Sequence, residues 1–325
     1  MRRRFMSQVA GALLLATAFP QSFAQNNYPS RPVRVLVGFS AGGSSDLLAR
    51  LTAQSLSQAF DQQFVVENRP GATGNIAHEY VARSSPDGYT LLFATTDVTL
   101  NGATTDGLRF DPEKDFTPVT LLTFAPLILF VRSDFPASNL KELLAYVKAR
   151  PNELNYASTG RGTTTHLVAE QLKQLAGLDI QHVPYKGAAP AMVALLSGET
   201  SMLFTTYVSA RSQVEAGKFK PIAIASNERA KQLPDVQTFA ELGYPMEIGT
   251  WFGLLAPAGT PPGIVEKLNE ALQKASRSKD FQNQILDMGG NLLMTPPGPF
   301  KDFVGADVRK WKELVKRTMS NADLK

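Results

Sequence analysis

One local arrangement occurs twice in this chain and narrows the folds open to it. Val33-Arg34-Val35-Leu36-Val37 is a short apolar run, and Gly38-Phe39-Ser40-Ala41-Gly42-Gly43-Ser44-Ser45-Asp46 follows as a loop of glycine and hydroxyl residues. Leu47, Leu48, Leu51, Leu56, Ala59 and Phe60 then recur near the 3.6-residue period of one helix face. Asn155-Tyr156-Ala157, the loop Ser158-Thr159-Gly160-Arg161-Gly162-Thr163-Thr164-Thr165-His166, and a helix bearing Leu167, Val168, Leu172 and Leu175 repeat the pattern. An apolar strand feeding a helix is the unit of a parallel sheet covered by helices. The loop between them aims backbone N–H groups at one point, where the helix dipole favours negative charge. Each stretch therefore reads as half of an anion-binding clamp.

Between and after these units the chain keeps to α/β patterning. Phe64-Val65-Val66 is a second strand, running into the turn-rich stretch 67–75. A helix from Ala77 to Ser84 stops at Ser85-Pro86-Asp87-Gly88, and Thr90–Ala94 is a third strand. This βαβαβ order implies a parallel sheet with right-handed crossovers. Residues 95–120 carry Asn-Gly, Asp-Gly and Asp-Pro pairs and are expected to be irregular. Leu127–Val131 is expected to cross into a second lobe, and Trp251–Leu255 to return. Within that lobe lie a helix at 140–147, strands at 180–183, 202–204 and 222–224, and a helix from Pro190 to Leu196. Helices follow from Pro261-Pro262 and over Phe300, Phe303, Val304, Val308, Trp311, Leu314 and Val315; the last has a wide apolar stripe suited to bracing the fold.

Residues 1–24 read as an export leader. Arg2-Arg3-Arg4 precede an apolar run from Val9 to Phe19, and Ser22-Phe23-Ala24 places cleavage before Gln25. The run is too short to span a bilayer. The leader holds three Arg and no acid, so the remaining chain has 30 basic against 29 acidic residues, a net charge of +1. That balance, with no basic run interleaved with aromatics, removes the case for nucleic acid. The chain has no Cys, which excludes disulfides and thiolate metal sites. His occurs only at 78, 166 and 182, at no metal-ligand spacing, so no metal or cofactor is expected. The glycines at 38, 42 and 43 miss the dinucleotide fingerprint, and no Gly-Lys-Ser/Thr marks a P-loop.

Gly38-Phe39-Ser40-Ala41-Gly42 matches G-x-S-x-G between a strand and a helix, the setting of a nucleophile elbow. An exported serine esterase using Ser40 is therefore an alternative. Against it, Ser40 comes only 16 residues after the leader, and the second glycine is doubled and followed by further hydroxyls. Asp46 reads first as the N-cap of the helix it precedes, and second as a partner for a ligand ammonium or hydroxyl. His78 and His182 read as packed and hydrogen-bonded residues. His166, at a helix start, reads as neutral, with a ligand role open.

The runs VGFSAGGSSDLLAR, VVENRPGATGNIA, SPDGYTLLFA, HVPYKGAAPAMVALLSGE and WFGLLAPAGTPPGIVEKLNEAL, in this order, resemble the Bug-type substrate-binding proteins of tripartite tricarboxylate transporters. The resemblance implies an α/β, two-lobed periplasmic binding-protein fold, type II-like, each lobe a sheet flanked by helices, with the ligand cleft between them. Lobe one is then residues 25–125 and 250–325, and lobe two 126–249. It implies a periplasmic, non-enzymatic protein, expected to be a monomer, that passes a small carboxylate to membrane transporter subunits. A ligand sensor acting on a signalling partner is the alternative with the same pocket.

Carried onto this sequence, the ligand is held by Phe39, Ser40, Ala41, Gly42, Gly43, Ser44 and Asp46 from one loop. The other loop gives Ser158, Thr159, Gly160, Gly162, Thr163, Thr164 and His166, and Thr95, Thr96 and Thr205 close the sides. The chain departs from the family pattern at Gly38, often Pro, at Ala77, usually Gly, and at Thr205-Thr206, commonly Asp-Asn. Loss of that Asp argues against an amino-acid ligand and leaves di- or tricarboxylates, or an aromatic carboxylate.

Overall fold

The computed structural model describes residues 28–318; the leader expected at 1–24 lies outside them. The first unit is built as its apolar runs require. Strands β1 (Val33–Val37), β2 (Phe64–Asn68) and β3 (Thr90–Thr95) form a parallel sheet in the order β2-β1-β3. The crossover helices are α1 (Ser44–Phe60) and α2 (Asn75–Ala82). Val33, Val35 and Val37 point to one buried face with Leu48 and Leu56 of α1, while Leu36 packs on the other face with Ala77 and Val81 of α2. Burial on both faces explains why β1 is apolar without alternation.

The stretch expected to be irregular over 95–120 is so only at 105–115. A helix, α3 (Asp97–Thr104), starts directly after β3, and Val98 and Leu100 are fully buried. Asn101-Gly102 sits inside this helix as an ordinary segment, whereas Asp106-Gly107 does form a turn, with Gly107 at φ +66°.

Strand β4 (Phe116–Arg132) is 17 residues long and serves both lobes. Its first part pairs antiparallel with β9 (Gly249–Pro257), from Phe116↔Pro257 to Pro126↔Gly249, and β9 also pairs with β3. Its second part pairs with β7 (Met202–Thr206) and β8 (Phe219–Ile224). The strand thus starts eleven residues before Leu127, and Leu127, where the crossing was expected, is its first residue paired with β7.

The second unit holds β5 (Asn155–Ser158), β6 (Gln181–Pro184) and β7 in the order β7-β5-β6, parallel throughout. Around it lie α4 (Leu140–Lys148), α5 (Thr164–Ala176), α6 (Ala188–Ser197) and α7 (Tyr207–Glu215). After β9 come α8 (Pro262–Ala275), α9 (Lys279–Asp287), β10 (Asn291–Thr295), which pairs with β4, and α10 (Pro297–Thr318). The amphipathic stripe of α10 serves both lobes. Phe300 and Val304 enter the core that holds Trp251 and Leu36, while Trp311, Leu314 and Val315 enter the core around Leu167 and Leu172. Asp307, between these ends, accepts from Trp251 Nε1 at 2.7 Å, Trp311 Nε1 at 2.9 Å and Thr99 Oγ1 at 2.6 Å.

Candidate functional site

The two Gly/hydroxyl loops face each other across the crossing strands, at the carboxyl ends of the parallel strands, where α/β sheets place their ligands. Each loop ends in a helix whose N-cap residue makes no side-chain bond to it: Gly43 for α1, Thr163 for α5. The first helical N–H of each is instead taken by a side chain from the opposite lobe. Ser44 N–H donates to Ser209 Oγ of α7 at 2.9 Å, and Thr164 N–H donates to Asp97 Oδ1 of α3 at 3.4 Å. The third helical residue of each bonds back to its own loop. Asp46 Oδ2 accepts the Gly42 N–H and His166 Nδ1 accepts the Gly162 N–H, both at 3.0 Å.

Asp46 is thus not the N-cap. Gly43 holds that position, and Asp46 locks the loop from inside the first turn, paired to Arg50 at 2.9 Å. Burial pushes its carboxyl up, but bonds from Arg50, the Gly42 N–H and Asn68 outweigh this and leave it below the usual carboxylate range. In the second lobe His166 Nδ1 acts as an acceptor, so it carries no proton. The ring stacks on His182 with centroids 3.9 Å apart, and His182 Nε2 meets Ser158 Oγ at 2.6 Å. Burial, then repulsion from His166, Arg161 and Lys173, pushes the His182 imidazole down to about 3. Both histidines therefore support the loop as neutral rings, His166 buried and His182 half-buried. His78, packed on Phe110, is likewise pushed down to about 3 by burial.

The lobes meet. Ser40 N–H and Oγ–H both donate to the Lys186 carbonyl, at 3.3 and 2.7 Å. The same hydroxyl that suggested a nucleophile elbow is thus committed to a carbonyl on the other side of the cleft. The space enclosed between the lobes is about 30 Å³. Of the residues expected at the site, Phe39, Gly43, Ser44, Thr95, Thr159, Thr164 and Thr205 form its wall. The others take supporting places. Ala41 and Gly42 are exposed at the rim, and buried Thr96 accepts the Trp251 N–H at 2.8 Å. Thr163 Oγ1 donates to the Gly160 carbonyl at 2.7 Å. Gly162, at φ +72°, is in a conformation that favours glycine, and a Cβ there would come within 2.9 Å of Thr104 Cβ.

The wall also holds Ser45, Asp97, Leu127, Thr165, Ala188, Thr206 and Thr250, which the sequence reading did not assign to the ligand. Asp97 directly follows Thr95-Thr96 at the end of a parallel strand; that position was a signal, obscured by reading 95–120 as irregular. Burial pushes the Asp97 carboxyl up to about 6, against the bonds from Thr95 Oγ1, the Thr164 N–H and its own N–H. Larger grooves, of about 660 and 830 Å³, lie beside α10 and between α1, α8 and α9, away from the strand ends.

Two α/β lobes joined by shared strands, with facing helix starts in the cleft, define a periplasmic binding protein. The sequence matches the model of the "Tripartite tricarboxylate transporter family receptor" over residues 48–319. The chain belongs to that family, whose members are binding proteins rather than enzymes. It is 32% identical to protein BugT of Bordetella pertussis, over 95% of this chain and 96% of that one. Among solved structures it is similar to periplasmic binding protein BugD, at 35% identity and a TM-score of 0.86, covering 90% of this chain and 98% of that one. It is also similar to Rpa4515 of R. palustris with adipate, at 34% identity and a TM-score of 0.87, covering 90% and 98%. MatC from Rhodopseudomonas palustris with bound malate gives 35% identity and a TM-score of 0.84, covering 89% and 100%.

Proposed function

We propose that this protein, exported by residues 1–24, captures a small carboxylate in the periplasm and delivers it to the membrane subunits of a tripartite tricarboxylate-type transporter. The observation that carries the reading is the pair of helix starts in the cleft, each with its first N–H satisfied from the opposite lobe. Such N–H groups, with the surrounding hydroxyls, bind carboxylate oxygens without Lys or Arg. The adipate and malate in related structures agree with this. Contacts are assigned to Phe39, Gly43, Ser44, Ser45, Thr95, Thr159, Thr164, Thr205 and Thr206, with Ser40 sealing the entrance. The lobes divide near Ala125 and Gly249, and they part there to admit ligand, because the enclosed space is only about 30 Å³.

Charge-assisted bonds contribute about 1.5–3 kcal/mol each, so about four of them, less ordering costs, give micromolar affinity, about −8 kcal/mol. A thermal-shift screen of the purified protein against mono-, di- and tricarboxylates, malate, adipate, citrate and benzoate included, tests this. A bound ligand at 100 times its Kd stabilises by about 2.7 kcal/mol, a rise of several degrees. No shift with any carboxylate overturns the reading.

A further inference from the structure

The cavity wall contains one ionisable side chain, Asp97, among hydroxyl and apolar residues, and no Lys, Arg or His. Asp97 is buried at 4% exposure. Its carboxylate accepts from Thr95 Oγ1 at 3.1 Å and from the Thr164 N–H at 3.4 Å. The protein's own carboxylate thus takes the first N–H of α5, the place in the second lobe that would favour a ligand carboxylate. Thr206 Oγ1, also in the wall and 3% exposed, has no hydrogen-bond partner. A second negative group placed beside Asp97 meets a like charge with no cation to offset it. A cationic group there is paired, while the ligand carboxylate turns to the Ser44 and Ser45 end of the first lobe.

We propose that Asp97 sets the specificity of the cleft, selecting a small carboxylate that also carries an ammonium group over the same acid without one. This rests on the carboxylate-binding reading above and narrows it. It also reverses the expectation drawn from Thr205-Thr206, because the acidic partner missing from β7 is supplied from the start of α3. A carboxylate offers about four acceptor positions. Thr95, Thr164 and the Asp97 N–H use three of them, and one remains for the ligand.

Titration calorimetry with matched pairs tests the assignment: L-aspartate against succinate, L-glutamate against glutarate, and 4-aminobutyrate against butyrate. The expected result is that in at least one pair the amino member binds tenfold or more tightly. Asp97→Asn and Asp97→Ser, each checked for native near-UV circular dichroism, then abolish that preference while the amino-free member binds as well or better. An amino-free member that binds equally or more tightly in every pair overturns the specificity assignment and leaves carboxylate capture standing. A preference that survives in either folded variant also overturns it. If no carboxylate of any kind binds, both readings fall.

Discussion

Asp97 and Asp46 show how differently one side chain behaves at two helix starts. Buried Asp46 is paired with the exposed Arg50 of its own helix and accepts the Gly42 N–H, so it stays ionised and structural. Asp97 has no cation among its hydrogen-bond partners, and burial raises it from its ordinary 3.8 to about 6. The sign follows from linkage. Between these values the folded state binds a proton that the unfolded state has lost, so this group costs no stability below pH 4. The cost grows as pH rises through 6, reaching about 3 kcal/mol. Asp97→Asn is therefore expected to melt higher than the parent at pH 8, with the gap closing towards pH 4; thermal melts across pH 4–8 check it. A constant gap would mean that the carboxyl titrates at its ordinary value.

Much of the architecture was legible in single elements, and the failures have local causes. The strand–loop–helix units were readable because apolar runs buried on both faces leave a continuous signal, as in β1 and α1. Strand β4 was half hidden. Pro118, Pro126 and three threonines interrupt its pattern, and register shifts near Pro118 and Leu121 break its alternation. Helices α7 and α9 were missed because they bury few apolar residues, Tyr207, Val208 and Ala210 in one and Phe281 and Ile285 in the other. Half of the cavity wall was readable from the two loops. Of the rest, Asp97, Leu127, Ala188 and Thr250 come together only through the crossing of β4 and β9 and the approach of α3 and α6. Helix α10 was expected as a brace, and its two ends bury in different cores. Asp307 holds that brace by accepting from both tryptophans. Asp307→Ala leaves two buried indole N–H groups unpaired at about 1–3 kcal/mol each, a loss of about 2–6 kcal/mol. Urea unfolding monitored by tryptophan fluorescence measures it; a loss under 1 kcal/mol would show that the hub is dispensable.

At the scale of the molecule, two parallel-sheet lobes share strands β4 and β9, and the closed cleft is sealed by contacts as close as Ser40 to Lys186. Closure brings Gly43 under α6, where a Cβ would lie 3.4 Å from the Ala188 side chain. Gly43 has extended backbone angles, φ −88° and ψ 173°, that a β-branched residue adopts readily. Gly43→Val therefore leaves the first lobe intact and obstructs only the approach of the second. The most direct measurement is a calorimetric titration of parent and Gly43→Val proteins with whichever carboxylate gives the largest thermal shift. The account predicts one site of micromolar affinity in the parent and at least tenfold weaker binding in Gly43→Val, with an unchanged circular dichroism spectrum. Equal affinity in the two proteins would contradict it, because the ligand would then be held somewhere other than the closing cleft.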